Sequence, residues 1–386
     1  MIKLKSKYDC CGCTACVTIC NHNAIKMTTD EQGFLYPQIT PKYCINCGLC
    51  DQVCPIIHYD SLKDKSADPT VFALHNSNKK IWESSSSGGA FASFASQTIQ
   101  SKGIVYGAIF NNELKVIHSK ASDEIEALKF RGSKYVQSDL TGIFKDAKDE
   151  LNKGTKVLFC GTPCQVEGLK RFLRKDYDNL FTIDILCHGV PSPKIFQEYI
   201  KFIKENSDFK LTGIFMKDKT FGWGYQNTRL YFGKTASQFN TVLSNLWNKI
   251  YYSHLATRPA CHACRFTNYL RPGDISLGDF WGIEKYHPNF SNSKGISLIL
   301  INNSKGKSEW EKVQNQFTYI RSNPYECQQP NLLHPIAESN KKDEFWNDYA
   351  QMSFTKLMQK YFNVTPYALI KNRIRMLFQT IKQQLV

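Results

Sequence analysis

The sequence predicts a mixed chain of α+β and α/β character: a small two-cluster module, a larger mixed α/β body and a C-terminal helix. Three observations predict it. One cysteine spacing occurs twice near the start, Cys10-x2-Cys13-x2-Cys16-x3-Cys20 and Cys44-x2-Cys47-x2-Cys50-x3-Cys54-Pro55. Further on, the apolar runs 156–159 and 181–186 each end in a Cys/Gly/Pro-rich turn and lead into a helical pattern, as in α/β units with a site at the strand ends. Beyond Thr365-Pro366, Ile370, Ile374, Leu377, Ile381 and Leu385 recur at helical steps. The expected divisions are 1–60, 70–175, 176–340 and 341–386.

The doubled spacing is that of two 4Fe-4S clusters. Three cysteines at x2 intervals wrap one cubane, and the fourth, an x3 step further, reaches the other cluster more easily than its own. Cys10, Cys13, Cys16 and Cys54 are therefore expected around one cluster, and Cys44, Cys47, Cys50 and Cys20 around the other. All-cysteine zinc sites use C-x2-C pairs separated by longer loops. A disulfide framework needs an oxidising compartment, and residues 1–9 contain no apolar export segment. Cys11 fits no ligand slot and reads as a packed thiol. The segment resembles the bacterial two-cluster ferredoxins, with Asn21 standing where proline usually follows the fourth cysteine.

The 386 residues are enough for two or three domains, and fifteen cysteines without an export signal point to metal ligation in a cytoplasmic setting. There is no membrane-length apolar run. The net charge of +15 lies beyond residue 60, because residues 1–60 hold five Lys against five Asp/Glu. That balance favours acidic partners or surfaces; no nucleic-acid recognition motif accompanies it.

Along the chain, 59–69 reads as a linker and 70–75 as a strand. Ser84 to Gly89 runs into a helical stretch, which is either an ordinary serine-rich loop or a set of free backbone N–H groups for an anion. Paired strands are expected at 104–110 and 115–118, a short helix at 125–129, and helices at 143–151, 166–174 and 195–204. Strand signals return near 230–232 and at 297–301. In the tail, Lys371, Arg373, Arg375 and Lys382 surround the apolar face, and no acidic residue follows Asp348. Such a helix lies on an anionic membrane surface, or docks on a partner or on its own body.

A second cysteine set comprises Cys160, Cys164, Cys187, Cys261 and Cys264. If the strands before Cys164 and Cys187 are neighbours, both thiols project from one end of the sheet, and Cys261-x2-Cys264 completes a third site. Zinc suits four cysteines equally well; iron–sulfur is favoured because redox-inert zinc would end the electron path. Cys164 is preferred to Cys160, which ends a strand where buried thiols are common. Cys327 reads as packed.

Ser87-Gly88-Gly89, Gly132-Ser133-Lys134-Tyr135, Gly161-Thr162-Pro163-Cys164-Gln165, Cys187-His188-Gly189-Val190-Pro191-Ser192-Pro193, Cys261-x2-Cys264 and Gly278-Asp279-Phe280-Trp281-Gly282 occur in that order. Together they resemble the coenzyme F420 hydrogenase/dehydrogenase beta-subunit family over roughly residues 70–340. The resemblance implies FAD beside a 4Fe-4S cluster, with hydride exchanged between flavin and a soluble substrate. It makes Ser87, Gly88, Gly89, Ser133, Lys134, Tyr135, Gln165, Asp279 and Trp281 candidate flavin-site residues. His188, beside a cluster ligand, is the candidate catalytic residue, as a proton relay or by tuning the cluster. The chain contains no G-x-G-x-x-G, so the dinucleotide would be held by these other loops.

A flavin joins one-electron and two-electron chemistry. The expected function is an iron–sulfur flavoprotein oxidoreductase fed by a ferredoxin or a hydrogenase/dehydrogenase subunit. Family relatives act on the deazaflavin F420; similar proteins include reductases of chlorophyll-type rings or accompany surface-polysaccharide synthesis. The competing expectation is an electron-relay subunit without a substrate site of its own.

Overall fold

The computed structural model describes residues 2–59, 68–225, 227–233 and 236–384. Most of the linker expected at 59–69 falls outside them, as does Leu385, and so do the side chains of Leu377, Ile381 and Lys382.

In the N-terminal module, strands β1 (Ile25–Thr29) and β2 (Leu35–Ile39) pair antiparallel, and each cysteine run feeds a one-turn helix, Ala15–Thr18 or Leu49–Gln52. The residues that open these helices, Thr14 and Gly48, hold equivalent left-handed conformations at φ 67° and φ 76°. This turn points three closely spaced thiols inward. Glycine adopts it freely; threonine does so at a cost of about 1–2 kcal/mol.

The body centres on an eight-stranded mixed sheet ordered β13-β3-β12-β11-β7-β6-β4-β5. Its strands are β3 (Thr70–Asn76), β4 (Ile104–Phe110), β5 (Val116–Ala121), β6 (Val157–Gly161), β7 (Leu180–Ile185), β11 (Ile275–Asp279), β12 (Ser297–Ile301) and β13 (Phe317–Ser322). Strands from both sides of the expected 175/176 boundary interleave in this sheet. The four central strands β4, β6, β7 and β11 run parallel. They are nearly continuous apolar runs because helices cover the sheet. A second, three-stranded sheet, β10-β9-β8 (Ala236–Gln238, Asn227–Phe232, Leu211–Asp218), packs with helices Pro193–Glu205 and Val242–Ser253 around Trp247, Phe196 and Tyr199.

Two departures from the sequence reading concern helix ends and the tail. The helix after β6 begins at Pro163 rather than 166, because Pro163 takes the first helical position and Thr162 with Gln165 forms a capping box. Cys164 therefore sits in a helix's first turn. In the region 341–386, helices Lys342–Gln351 and Phe354–Phe362 put Phe345, Leu357 and Met358 into the body core. The last helix, Pro366–Gln384, docks through Leu369 and the buried Asn372, with Arg373 ion-paired to Asp208. Its expected apolar face points away: Ile370 is 60% and Ile374 49% exposed. The repeat is real, yet the rows behind it make the contact with the body.

One buried ion pair anchors the sheet to the cysteine-bearing loop beyond it. Arg271 grips Asp184 in β7 and also donates to the carbonyls of Phe266 (2.7 Å) and Ile185 (2.9 Å). Both side chains are essentially inaccessible to water. Asp184→Ala leaves an uncompensated guanidinium and is expected to cost about 3–5 kcal/mol, read by denaturant unfolding.

Candidate functional site

The crossed cysteine sets are adjacent in space. Cys10, Cys13, Cys16 and Cys54 line one cavity together with Ile2, Leu4 and Met27. Cys20, Cys44, Cys47 and Cys50 line a second, with Ile19, Ile25 and Leu49. In each set three thiols come from one run and the fourth from the other. Cys13, Cys16 and Cys54 of the first set are buried, whereas in the second set only Cys50 is buried and Cys47 is exposed.

The first cavity abuts the helix Pro163–Leu173 that follows β6. Gly168, in the helix Pro163–Leu173, lies so close that a Cβ there would stand 2.9 Å from the Cys13 Cβ. Only glycine permits this approach. On the same side, the carboxyl ends of β6 and β7 deliver Cys164 and Cys187, and Pro259–His262 with its following turn delivers Cys261 and Cys264. These four thiols lie within electrostatic reach of one another. Burial pushes Cys261 up to about 12 and Cys264 to about 11, so they release protons readily only to a cationic centre. Among the described residues no three His, Cys, Asp or Glu side chains converge closely enough for a single ion. Cys160 lies elsewhere: it packs on the Phe94–Phe181 side of the sheet, with Asp184 and Lys134 as its charged neighbours. Cys11, predicted only to be packed, lies between Cys13 of the first set and Cys164 of the third, within electrostatic reach of both.

From Cys187 an aromatic cluster leads onward. The His188 ring lies 5.8 Å from Tyr251 and 5.0 Å from His254, with Nδ1 2.8 Å from Asn331 Oδ1. The amide oxygen only accepts, so Nδ1 carries the proton. Tyr251 stacks on Tyr135 at 4.6 Å. Beyond it, Asp279 at the end of β11 binds Lys217 and accepts from Trp223 Nε1 (2.9 Å), and Trp223 stacks on Trp281 at 4.4 Å. The Lys217 ammonium lies 4.8 Å from the Trp281 ring. Lys217 and Lys219 escaped the sequence reading. Alternation along β8 gave no signal, since Met216, Lys217 and Asp218 are all buried where the β8–β9 register shifts; only the fold brings Lys217 to Asp279.

The other candidate residues are heavily engaged within the fold. Ser87 Oγ donates to the Ile296 carbonyl (2.9 Å), and Gly88 N–H to Ser297 Oγ (2.9 Å). A Cβ at Gly88 would stand 2.3 Å from the Leu74 carbonyl oxygen, so this glycine is needed for close packing. Gly89, at φ 85°, opens the helix Ala90–Gln100. Ser133 N–H donates to Ser86 Oγ. Lys134 Nζ donates to the carbonyls of Lys129, Phe130 and Arg131 at 2.8–3.0 Å, and burial lowers it to about 7. Gln165 accepts from Thr162 N–H and donates to Ser138 Oγ, each at 2.9 Å.

The fold and these cavities define an iron–sulfur redox protein, a dicluster module joined to a mixed α/β body. Residues 9–56 match the 4Fe-4S dicluster domain, and residues 154–325 match the family described as the C terminus of the coenzyme F420 hydrogenase/dehydrogenase beta subunit. The chain thus carries a region similar to the C terminus of that beta subunit behind an N-terminal dicluster domain. Among solved structures it is similar to a chain of the F420-reducing NiFe hydrogenase complex from Methanosarcina barkeri, at 16% identity and a TM-score of 0.45, covering 78% of this chain and 90% of that one. No curated protein matches it. No helix among the described residues is long and apolar enough to cross a membrane.

Lys219 offers a pH test of the site. Burial, then the charge of Lys217, lowers it to about 8, while its Nζ donates to the carbonyls of Trp82 (2.7 Å) and Ser87 (2.9 Å). Below about pH 8 both folded and unfolded chains carry the charge, and the fold bears its full desolvation. Between about pH 8 and pH 10.5 the unfolded chain holds more protons, so stability rises with pH. Against Lys219→Met, the wild type is expected to gain relative stability across that window, as read by denaturant unfolding at each pH.

Proposed function

We propose that this chain is an iron–sulfur flavoprotein oxidoreductase holding three 4Fe-4S clusters and FAD. The observation that carries this reading is the pair of cavities, each lined by one crossed set of four cysteines. Cys20, Cys44, Cys47 and Cys50 would hold the outer cluster, where a redox partner protein delivers or takes electrons. Cys10, Cys13, Cys16 and Cys54 would hold the inner one, and Cys164, Cys187, Cys261 and Cys264 the third. Tyr251 and Tyr135 bridge the third site to Asp279, Lys217 and Trp281, where the flavin ring and a small-molecule substrate, deazaflavin or another metabolite, would meet. When bound, FAD exchanges single electrons on one side and hydride on the other. Asp279 orients Lys217 and the indole of Trp223, while the Trp223–Trp281 stack shields the site from water. His188, its Nδ1–H fixed on Asn331, presents Nε2 for a proton.

A second reading is an electron-relay subunit with no substrate site of its own. It is favoured by the internal engagement of Ser87, Gly88 and Lys134, which leaves fewer donors for a pyrophosphate.

Anaerobically purified protein is expected to contain about twelve irons per chain, as three cubanes require, and to release one FAD on denaturation. About eight irons without flavin would establish the relay instead. Cys164→Ser is expected to remove about four irons while Cys160→Ser removes none; the opposite result would reassign the third site.

A further inference from the structure

Arg258 is fully buried, at 0% exposure, yet makes no ion pair with a carboxylate among the described residues. Its donors reach three separate segments: Nε to the Cys10 carbonyl (2.7 Å), one terminal nitrogen to Gln137 Oε1 (2.9 Å) and the other to the Leu35 carbonyl (2.9 Å). The guanidinium lies 4.5 Å from the ring of Tyr36 and 5.3 Å from that of Phe34. Its backbone precedes the short helix Pro259–His262, and its carbonyl accepts from Cys261 N–H at 3.0 Å. Gln137 in turn donates to the Cys11 carbonyl (3.1 Å). A Cβ at Gly12 would stand 2.8 Å from the guanidinium, so the inner cysteine loop is built to let it in.

A buried guanidinium without an anion is costly, and neutral carbonyls offset only part of that. The acidic groups within its electrostatic reach include Cys10, Tyr36, Cys11, Cys261 and Cys164. Cys10 belongs to the inner cysteine set and Cys261 to the third. Four thiolates leave a 4Fe-4S cubane net negative, and a fixed nearby cation raises its reduction potential.

We infer that Arg258 is a positioning residue whose charge is shared by the inner and third clusters: it clamps the dicluster module to the body and holds both potentials up, while the outer cluster lies outside its influence. The clamp and the counter-charge are one side chain, so the two centres meet only when the modules are docked. The inference rests on the cluster assignments proposed above.

The test is a redox titration followed by electron paramagnetic resonance on anaerobically reconstituted full-length protein, with iron counted in each sample. Arg258→Gln removes the charge but keeps an amide donor; Arg258→Lys keeps the charge and loses the fork. Gln137→Glu leaves Arg258 in place and sets a carboxylate against it, which guards against a variant at 258 that does not fold. Arg258→Gln and Gln137→Glu are expected to lower the midpoint potentials of the inner and third clusters and leave the outer one unmoved. Arg258→Lys is expected to stay near the wild type in all three. Unchanged potentials in the two charge-altering variants, or equal shifts of all three clusters, would overturn the inference. A wild type lacking the third cluster's signal and irons would instead overturn the assignment of that site, and the inner cluster's shift would still decide the role of Arg258.

Discussion

The constraint on which this molecule depends is the close seating of a small cysteine module against the helix that follows the parallel strand β6. Gly168 removes the side chain that would hold Cys13 away, and Gly12 opens the loop to Arg258. Electron transfer between centres falls steeply with separation, so glycines at these contacts matter more than added apolar area. The seat is polar where it specifies register, at Arg258, Gln137 and the backbone of Cys10, Cys11 and Leu35. Hydrogen bonds to backbone carbonyls fix position in a way that apolar packing alone does not.

The sheet supplies the second half of the arrangement. Parallel strands linked by helices place all their carboxyl ends on one side, and turns there are free to vary. Three neighbouring ends, those of β6, β7 and β11, carry Cys164, Cys187 and Asp279. The Asp184–Arg271 pair secures the loop bearing Cys264 to the same edge. A line of aromatic rings then separates the thiols from the Lys217–Asp279 pair. The iron chemistry and the hydride chemistry proposed for the chain are thereby held near each other without sharing ligands.

Much of the local structure was legible from patterns. The buried strands expected at 156–159 and 181–186 stood out because both faces are covered, whereas the helix expected at 195–204 starts earlier, at Pro193, which the turn pattern had absorbed. The misjudged helix start before Cys164 came from reading Pro163 as a turn residue, although proline is equally at home in a first helical turn. The tail shows the limit of periodicity. Its repeat at Ile370 and Ile374 predicts a helix and an apolar face, but not which face meets the body; Leu369, Asn372 and the Arg373–Asp208 pair settle the contact. The candidate flavin loops show another limit. Ser87, Gly88 and Lys134 have the chemistry of anion binders, and only the fold reveals that Ile296, Ser297 and three carbonyls already use their donors.

The sequence by itself determined the metal chemistry of the N-terminal module, because thiol spacing of two and three residues is a short-range geometric code that needs no distant partner. It also determined the presence of strand–turn–helix units, since strand and helix periods are local properties. Tertiary structure alone decided that Cys164 rather than Cys160 stands with Cys187, Cys261 and Cys264, that Lys217 meets Asp279, and that Arg258 lies between two cysteine sets. Each of those depends on contacts between residues tens to hundreds of positions apart. Such contacts follow from strand order and from which backbones can approach closely, and neither is written in any one stretch of the chain.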